Sequence, residues 1–280
     1  QYVAHHLVYT NSRGDYAQLS DEEFANFREV TTTGIGSNRL YRVSTPLDGS
    51  LGRASYADAA LEAAGVDVIM NLSDTADKVK EYEGFGDTYY SKQKYIALDM
   101  SVIFTDDSIQ PKVAEGLRFF IENPGTYAIH CTEGMARTGF MCELLECLMG
   151  ASYEEVVSDY MTSYYNYYGI TRKDERYNIL SASNIDERFF SNVLGVDEPA
   201  RADLAKEAEK YLRSAGLTDA EIKELKAILG SDNIPEKQAF SDVNPGDYYY
   251  DAVQWAAANG ITKGYEGGYF GPQLDCQRRE

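Results

Sequence analysis

The spacing of apolar residues changes several times along this 280-residue chain, and each change marks an element. Ser20 and Glu23 form a capping-box pattern, a hydroxyl and a carboxylate three residues apart ahead of a short apolar pair. Residues 55–64 have helical spacing and stop at Gly65. Residues 66–72 are mostly apolar and read as a strand, and residues 94–100 read as a second one. From 109 to 123, Val113, Leu117, Phe120 and Ile121 share one helical face, and Pro124-Gly125 ends the run. Residues 126–130 are a short buried strand. Residues 137–149 then predict a helix with Phe140, Met141, Leu144, Leu145 and Leu148 turned inward and Gly150 as its stop. Ser152 and Glu155 cap a helix that reaches about Tyr165. Thr218 and Glu221 cap the last helix, which stops at Gly230. Alternating helix and strand followed by a helical run predicts an α/β fold, a central sheet flanked by helices with an α-rich C-terminal half. Residues 231–237, polar and containing Pro235, read as a linker. The expected division is a catalytic domain over 1–234 and a small helical C-terminal module over 239–280.

The chemistry sits where the strand at 126–130 meets the helix at 137–149. His130-Cys131-Thr132-Glu133-Gly134-Met135-Ala136-Arg137-Thr138-Gly139 puts a cysteine five residues before an arginine at a strand-to-helix junction. Unpaired N–H groups and the dipole of a helix N-terminus stabilise a thiolate there, which makes Cys131 a candidate nucleophile. The N–H groups of Thr132, Glu133, Gly134, Met135, Ala136 and Arg137 can curl into a cradle for phosphoryl oxygens. Gly134 permits the tight turn. The planar fork of Arg137 can hold two oxygens at once. Thr138 can donate its hydroxyl to the departing thiolate, and Gly139 lets the helix pack closely under the loop. His130 is expected to orient the loop by hydrogen bonding. A buried structural cysteine at a strand end would explain Cys131 alone, without Gly134, Arg137, Thr138 and Gly139.

These residues resemble the C-x5-R-[ST] signature of the cysteine-dependent protein tyrosine phosphatase superfamily. Asn26-Phe27-Arg28, Arg39-Leu40-Tyr41-Arg42, Ser44 and the helix pair from 211 to 229 resemble its bacterial branch, which also includes phosphoinositide-active members. The resemblance covers about residues 20–232. It implies a tyrosine-phosphatase-like fold and hydrolysis of phosphate monoesters. Many members of that branch carry Lys-Asp where this chain has Met135-Ala136, so the loop charge that an inositide lipid would use is missing.

Transfer to Cys131 expels an oxyanion that needs a proton, and a carboxylic acid on a mobile loop is the usual donor. Asp106 and Asp107 lie in the loop 101–108. The superfamily places its acid just upstream of the following helix. Asp107 has Pro111 four residues on, as in a W-P-D-x-x-x-P arrangement whose tryptophan and first proline are absent here. Asp107 is the first candidate, Asp106 the second and Asp99, at a strand end, the third. Either loop aspartate could instead cap the helix. No cofactor is expected, and His5, His6 and His130 form no metal-ligand pattern with the cysteines.

Acidic residues outnumber basic ones by 45 to 26, for a net charge of −19. Such a chain is no partner for nucleic acid, and an anionic substrate must be captured by a local positive site. No run of 18 apolar residues could span a membrane. Cys131, Cys142, Cys147 and Cys276 form no disulfide framework, since Cys142 and Cys147 lie five apart on one predicted helix. Tyrosine is abundant, with 23 residues, and the cluster from Tyr160 to Tyr168 is read as a half-buried helix face plus loop rather than an aromatic binding surface.

After residue 238 the pattern changes again. Phe240-Ser241-Asp242-Val243, then Tyr250-Asp251-Ala252-Val253-Gln254-Trp255-Ala256, Gly260-Ile261, Gly268-Tyr269-Phe270-Gly271-Pro272 and a terminal R-x-E resemble an S-layer homology domain. The resemblance implies a bacterial anchor for cell-wall polysaccharide. Such modules usually work in about three copies, so a longer protein is expected. The combined expectation is an extracellular phosphatase attached to the cell wall or S-layer, with a phosphorylated protein or small phosphomonoester as substrate. Two alternatives are an inositol-polyphosphate or phosphoinositide phosphatase and a non-catalytic wall-anchored phospho-binding protein.

Overall fold

Five strands form one sheet in the order β1 (Arg28–Glu29), β2 (Leu40–Val43), β5 (Tyr127–His130), β3 (Val68–Asn71), β4 (Lys94–Ala97). β1 is antiparallel to β2, and all other pairs are parallel. The computed structural model describes residues 7–230 and, beyond them, residues 240, 242, 243, 248, 249, 252, 253, 256, 262, 264, 265 and 269–272. The chain divides into two units, residues 1–232 and 233–280.

Alternate strand residues face opposite layers, as the strand period requires. Leu40, Val68, Met70, Tyr127 and Ile129 join a large core. That core is shared with α4 (Ile109–Glu122), α5 (Ala136–Met149), α6 (Tyr153–Tyr168), α8 (Leu204–Ser214) and α9 (Asp219–Gly230). Tyr41, Val43, Ile69 and Ala128 face a smaller core with α2 (Ala54–Ala63) and Val79 of α3 (Ala76–Glu81). The short α1 (Asp21–Phe24) has both arms of its Ser20/Glu23 capping box, and α6 has both arms of the Ser152/Glu155 box. α7 (Arg176–Ser181) runs on into a π-helical stretch, Ala182–Leu194. The α/β fold with an α-rich C-terminal half is therefore present.

Three expectations shift. The strand expected over 94–100 ends at Ala97, because Asp99 turns the chain into the left-handed region with φ 44°. The helix following Cys131 is buried on all sides rather than on one face, with Glu143 and Glu146 as buried as the leucines. The tyrosine cluster lies wholly within α6, which continues to Tyr168 and ends at Gly169 in the left-handed conformation. The expected linker at 231–237 lies outside the described residues.

Parallel strands collect their loops at one end, and β5 is the middle strand of the five. His130 is in register with Val43 of β2 and Asn71 of β3, so both neighbours end level with the point where Cys131 begins. No helix among the described residues is long and apolar enough to cross a membrane.

In the C-terminal unit, Phe240, Val243 and Val253 form a small core with Tyr249 and Phe270 against it. Asp242 accepts the N–H groups of Phe270 and Gly271 at 2.6 and 2.7 Å, and Tyr265 bridges Tyr269. Trp255, Gly260, Ile261 and Cys276 lie outside the described residues.

Candidate active site

β5 delivers Cys131 to the floor of the parallel end of the sheet, where it is only 3 % exposed. Residues 131–135 form the turn into α5. The carbonyls of this turn are held from outside. Thr132 O accepts from Thr45 N at 3.0 Å. Glu133 O accepts from Asn26 Nδ2 at 3.0 Å and from the Tyr167 hydroxyl at 2.9 Å. Gly134 O accepts from Asn26 Nδ2 at 3.1 Å and Arg42 Nη2 at 3.2 Å. Met135 O accepts from Gly139 N at 2.8 Å. By contrast, the N–H groups of residues 132–137 have no hydrogen-bond partner among the described residues. A row of free donors at a helix N-terminus is an anion cradle.

Sterics fix the path of the loop as well. Gly134 has φ 68°, and a Cβ there would lie 2.3 Å from the Val43 carbonyl oxygen. A Cβ on Gly139 would lie 2.3 Å from the Tyr160 ring, so α5 and α6 approach closely only with glycine at that point.

Arg137 begins α5. Its guanidinium donates to the Met100 carbonyl at 3.3 Å and to Thr132 Oγ1 at 3.1 Å, which ties the cradle to the loop after β4. The Thr138 hydroxyl is buried with no partner among the described residues. His130 is fully buried, with its ring edge-on to Tyr90. Burial lowers its pKa to about 4, so it is neutral near pH 7. A neutral imidazole 3.3 Å from the Cys131 carbonyl must donate from Nδ1.

Beneath the loop lies a charged cluster. Asp159 of α6 accepts from Arg28 Nε at 2.7 Å and from Arg42. Burial raises the Asp159 carboxyl, but the two guanidiniums overcome it and hold the group well below the usual range. Glu146 is pushed well above that range by burial and by Asp159, and burial pushes Glu143 up to about 8.

The loop 101–108 is built differently. Phe104 stacks on Phe140 of α5 at 4.5 Å, and Arg188 covers the Phe104 ring at 4.3 Å and donates to Val102 O. Val102 and Ile103 are exposed beside this anchor. Asp106 accepts the Ser108 N–H at 2.8 Å, and hydrogen bonds from Ser108 hold its carboxyl below the usual range. Asp107 is exposed and has no partner among the described residues, and neither aspartate caps α4, whose N-cap Ser108 has no side-chain capping bond; Asp106 closes a turn just ahead of it. Asp99 is exposed, and its carbonyl receives Lys112.

The sequence gives no sign that Asn26, Arg42 and Tyr167 hold the loop. Asn26 is fully buried with φ 52°, a conformation that asparagine tolerates better than most residues, and its Oδ1 accepts from Arg28 and Asn166. Asn26 and Arg42 enter the sequence reading only as parts of a resemblance, and Tyr167 only as one of a cluster.

The model of the tyrosine phosphatase family matches residues 21–231, and that of the S-layer homology domain matches residues 239–280. No curated protein matches the chain. With three quarters of its length inside the first match, the chain belongs to the tyrosine phosphatase family. It is a phosphatase whose S-layer homology domain indicates attachment to the cell wall or S-layer and points to wall polysaccharide as the ligand of that domain.

Proposed function

We propose that this member of the tyrosine phosphatase family acts outside the cell, hydrolysing phosphate monoesters, phosphotyrosine foremost, through a phosphocysteine intermediate. A catalytic domain over 1–234 would then be held at the wall by the module at 239–280. The observation that carries the reading is the opposed treatment of the two sides of the loop, with carbonyls bound outward from Thr132 to Gly134 and N–H groups free from 132 to 137 among the described residues.

In the first step the Cys131 thiolate attacks phosphorus, an S–P bond forms and the P–O bond to the leaving group breaks. Asp107 gives its proton to the leaving oxygen. Free N–H groups and Arg137 stabilise the charge on the equatorial oxygens, where most of the acceleration arises. In the second step a water gives its proton to Asp107 and attacks phosphorus, and the thiolate leaves with the Thr138 hydroxyl as hydrogen-bond donor. Preference for Asp107 over Asp106 rests on its free carboxyl, since Asp106 already accepts a bond that favours its ionised form.

Phosphotyrosine is favoured over shorter esters because Cys131 lies on a floor only 3 % exposed. A flat, long leaving group such as a phenol reaches such a floor where a short one does not. The test is acid quenching during turnover of a phosphotyrosine peptide, followed by mass spectrometry. The expected result is one phosphoryl group on the peptide that contains Cys131. Turnover with label on no cysteine, or on another residue, would overturn the mechanism.

A further inference from the structure

Glu133 is the one acidic side chain in the loop from 131 to 137, and it is held in place from outside the loop. The Tyr9 hydroxyl donates to its carboxylate. Tyr9 is itself fixed, packing edge-on against Tyr167 at 4.8 Å and Tyr168 at 5.7 Å. Arg53, 1 % exposed, pins the segment that carries Tyr9. Its guanidinium donates to Thr10 O and Asn11 Oδ1, both at 3.1 Å, and lies 4.1 Å from the Tyr167 ring. Thr10 N donates to the Tyr16 hydroxyl at 3.2 Å. Holding a half-buried carboxylate beside an anion cradle opposes anion binding, and Tyr9 and Arg53 serve no step of the mechanism above.

We propose that the Tyr9–Glu133 pair is a specificity device that makes this site prefer an isolated phosphate monoester and reject substrates with a second phosphate next to the first. The inference rests on the reading of the loop as a phosphate cradle. One phosphoryl group is matched by the free N–H groups and Arg137. A neighbouring phosphate would fall outside the cradle at its rim, where the fixed carboxylate repels it and Met135 and Ala136 offer no cation. Specificity obtained by repulsion needs the repelling group held in place, and the Tyr9 hydroxyl does that. The pair also keeps Glu133 from folding over the cradle onto Arg137.

The test compares one peptide with a single phosphotyrosine against the same peptide with an adjacent phosphoserine. Both kcat/KM values are measured for the parent protein, Glu133→Gln and Tyr9→Phe, at low and high salt. Glu133→Gln should raise the ratio of doubly to singly phosphorylated substrate about tenfold at low salt, and Tyr9→Phe about threefold, both shrinking as salt screens the charge. Binding of the two peptides to Cys131→Ser protein reads the same discrimination without chemistry. Absence of turnover in the parent would therefore count against the phosphocysteine reading alone. A binding ratio that neither Glu133→Gln nor Tyr9→Phe moves would overturn the specificity proposal.

Discussion

Between residues 131 and 137 each carbonyl from Thr132 to Met135 has a partner, and the three side chains among those partners, Asn26, Arg42 and Tyr167, come from distant parts of the sequence. Between residues 101 and 108, Phe104 is anchored under Arg188, while Val102, Ile103, Asp106 and Asp107 are exposed. The first loop must present its donors in one geometry before substrate arrives, because preorganised dipoles cost nothing to reorient during reaction. The second must deliver a proton to a leaving group and then let the product go, and a loop with few contacts has the freedom to do so. A nucleophile half that is tightly determined and an acid half that is loosely held predict different responses to mutation.

The largest effect is expected at the determined half. Cys131→Ser should leave the protein folded and reduce turnover to below about a hundredth of the parent, because the hydroxyl of serine stays protonated where a thiol ionises. A thermal melt and a steady-state assay on a phosphotyrosine peptide check both parts. Residual activity above that level would break the covalent assignment.

At the loose half, Asp107→Asn should cost about 10²–10⁴-fold on an alkyl phosphate, the usual range for general acid catalysis. An activated aryl phosphate, whose leaving oxygen needs no proton, should lose much less. Asp106→Asn should cost less than Asp107→Asn on both substrates, since that carboxyl is engaged by Ser108. The reverse order would transfer the role to Asp106. Two variants near parental rates on the alkyl substrate would point to Asp99.

The same contrast explains what the sequence disclosed. The β5–α5 junction was legible because its chemistry is contiguous, with strand, cysteine, glycine, arginine and helix in one run. β2 was not legible as a strand. Arg39 and Arg42 break its apolar pattern, yet both are fully buried, with Arg39 donating to Gly125 O and Arg42 to Asp159 and Gly134 O. Buried arginines are rare enough that a charged position reads as surface. The end of β4 was missed because nothing local marks Asp99 for the left-handed region. Tyr9, Arg53 and Tyr167 meet only in the fold, so their contacts leave no spacing to read. The acid loop offered two adjacent aspartates, and only the Ser108 bond distinguishes them.

A smaller effect should come from Asn26, which holds two carbonyls of the determined loop. Asn26→Gly keeps the left-handed backbone accessible and removes only the side chain. It should lower kcat/KM by about tenfold and weaken orthovanadate inhibition in parallel, while costing about 1–3 kcal/mol of stability from unpaired groups on Arg28 and Asn166. Asn26→Ala should be less stable than Asn26→Gly, since alanine tolerates φ 52° poorly. If melting falls but vanadate inhibition is unchanged, the side chain supports the fold without setting the cradle.

The smallest effect on activity lies beneath the cradle and concerns pH. Glu143 is buried on α5, burial pushes its carboxyl up to about 8, and one of its oxygens has no partner among the described residues. Arg42 and Arg188 draw that value down and Asp159 drives it up, so burial decides the sign. In the unfolded chain the group ionises near pH 4.5, while in the folded protein it keeps its proton to about pH 8. The folded state therefore binds more protons between those values, and the stability this group contributes is complete below about pH 4.5 and is lost progressively as pH rises to about 8. Glutamine cannot ionise, so Glu143→Gln should remove that decline. Its melting temperature relative to the parent should rise from pH 5 to pH 8 by on the order of 10 °C, from about 3–4 kcal/mol at about 2–4 °C per kcal/mol for a domain of this size. Because Arg42 also holds the Gly134 carbonyl, the parent should lose vanadate affinity over the same interval if an ionised Glu143 draws Arg42 away from the loop. A difference in melting temperature that stays flat with pH would mean that Glu143 is already ionised in the fold, paired with Arg42, and that the determined loop is supported by a salt bridge rather than by a neutral acid.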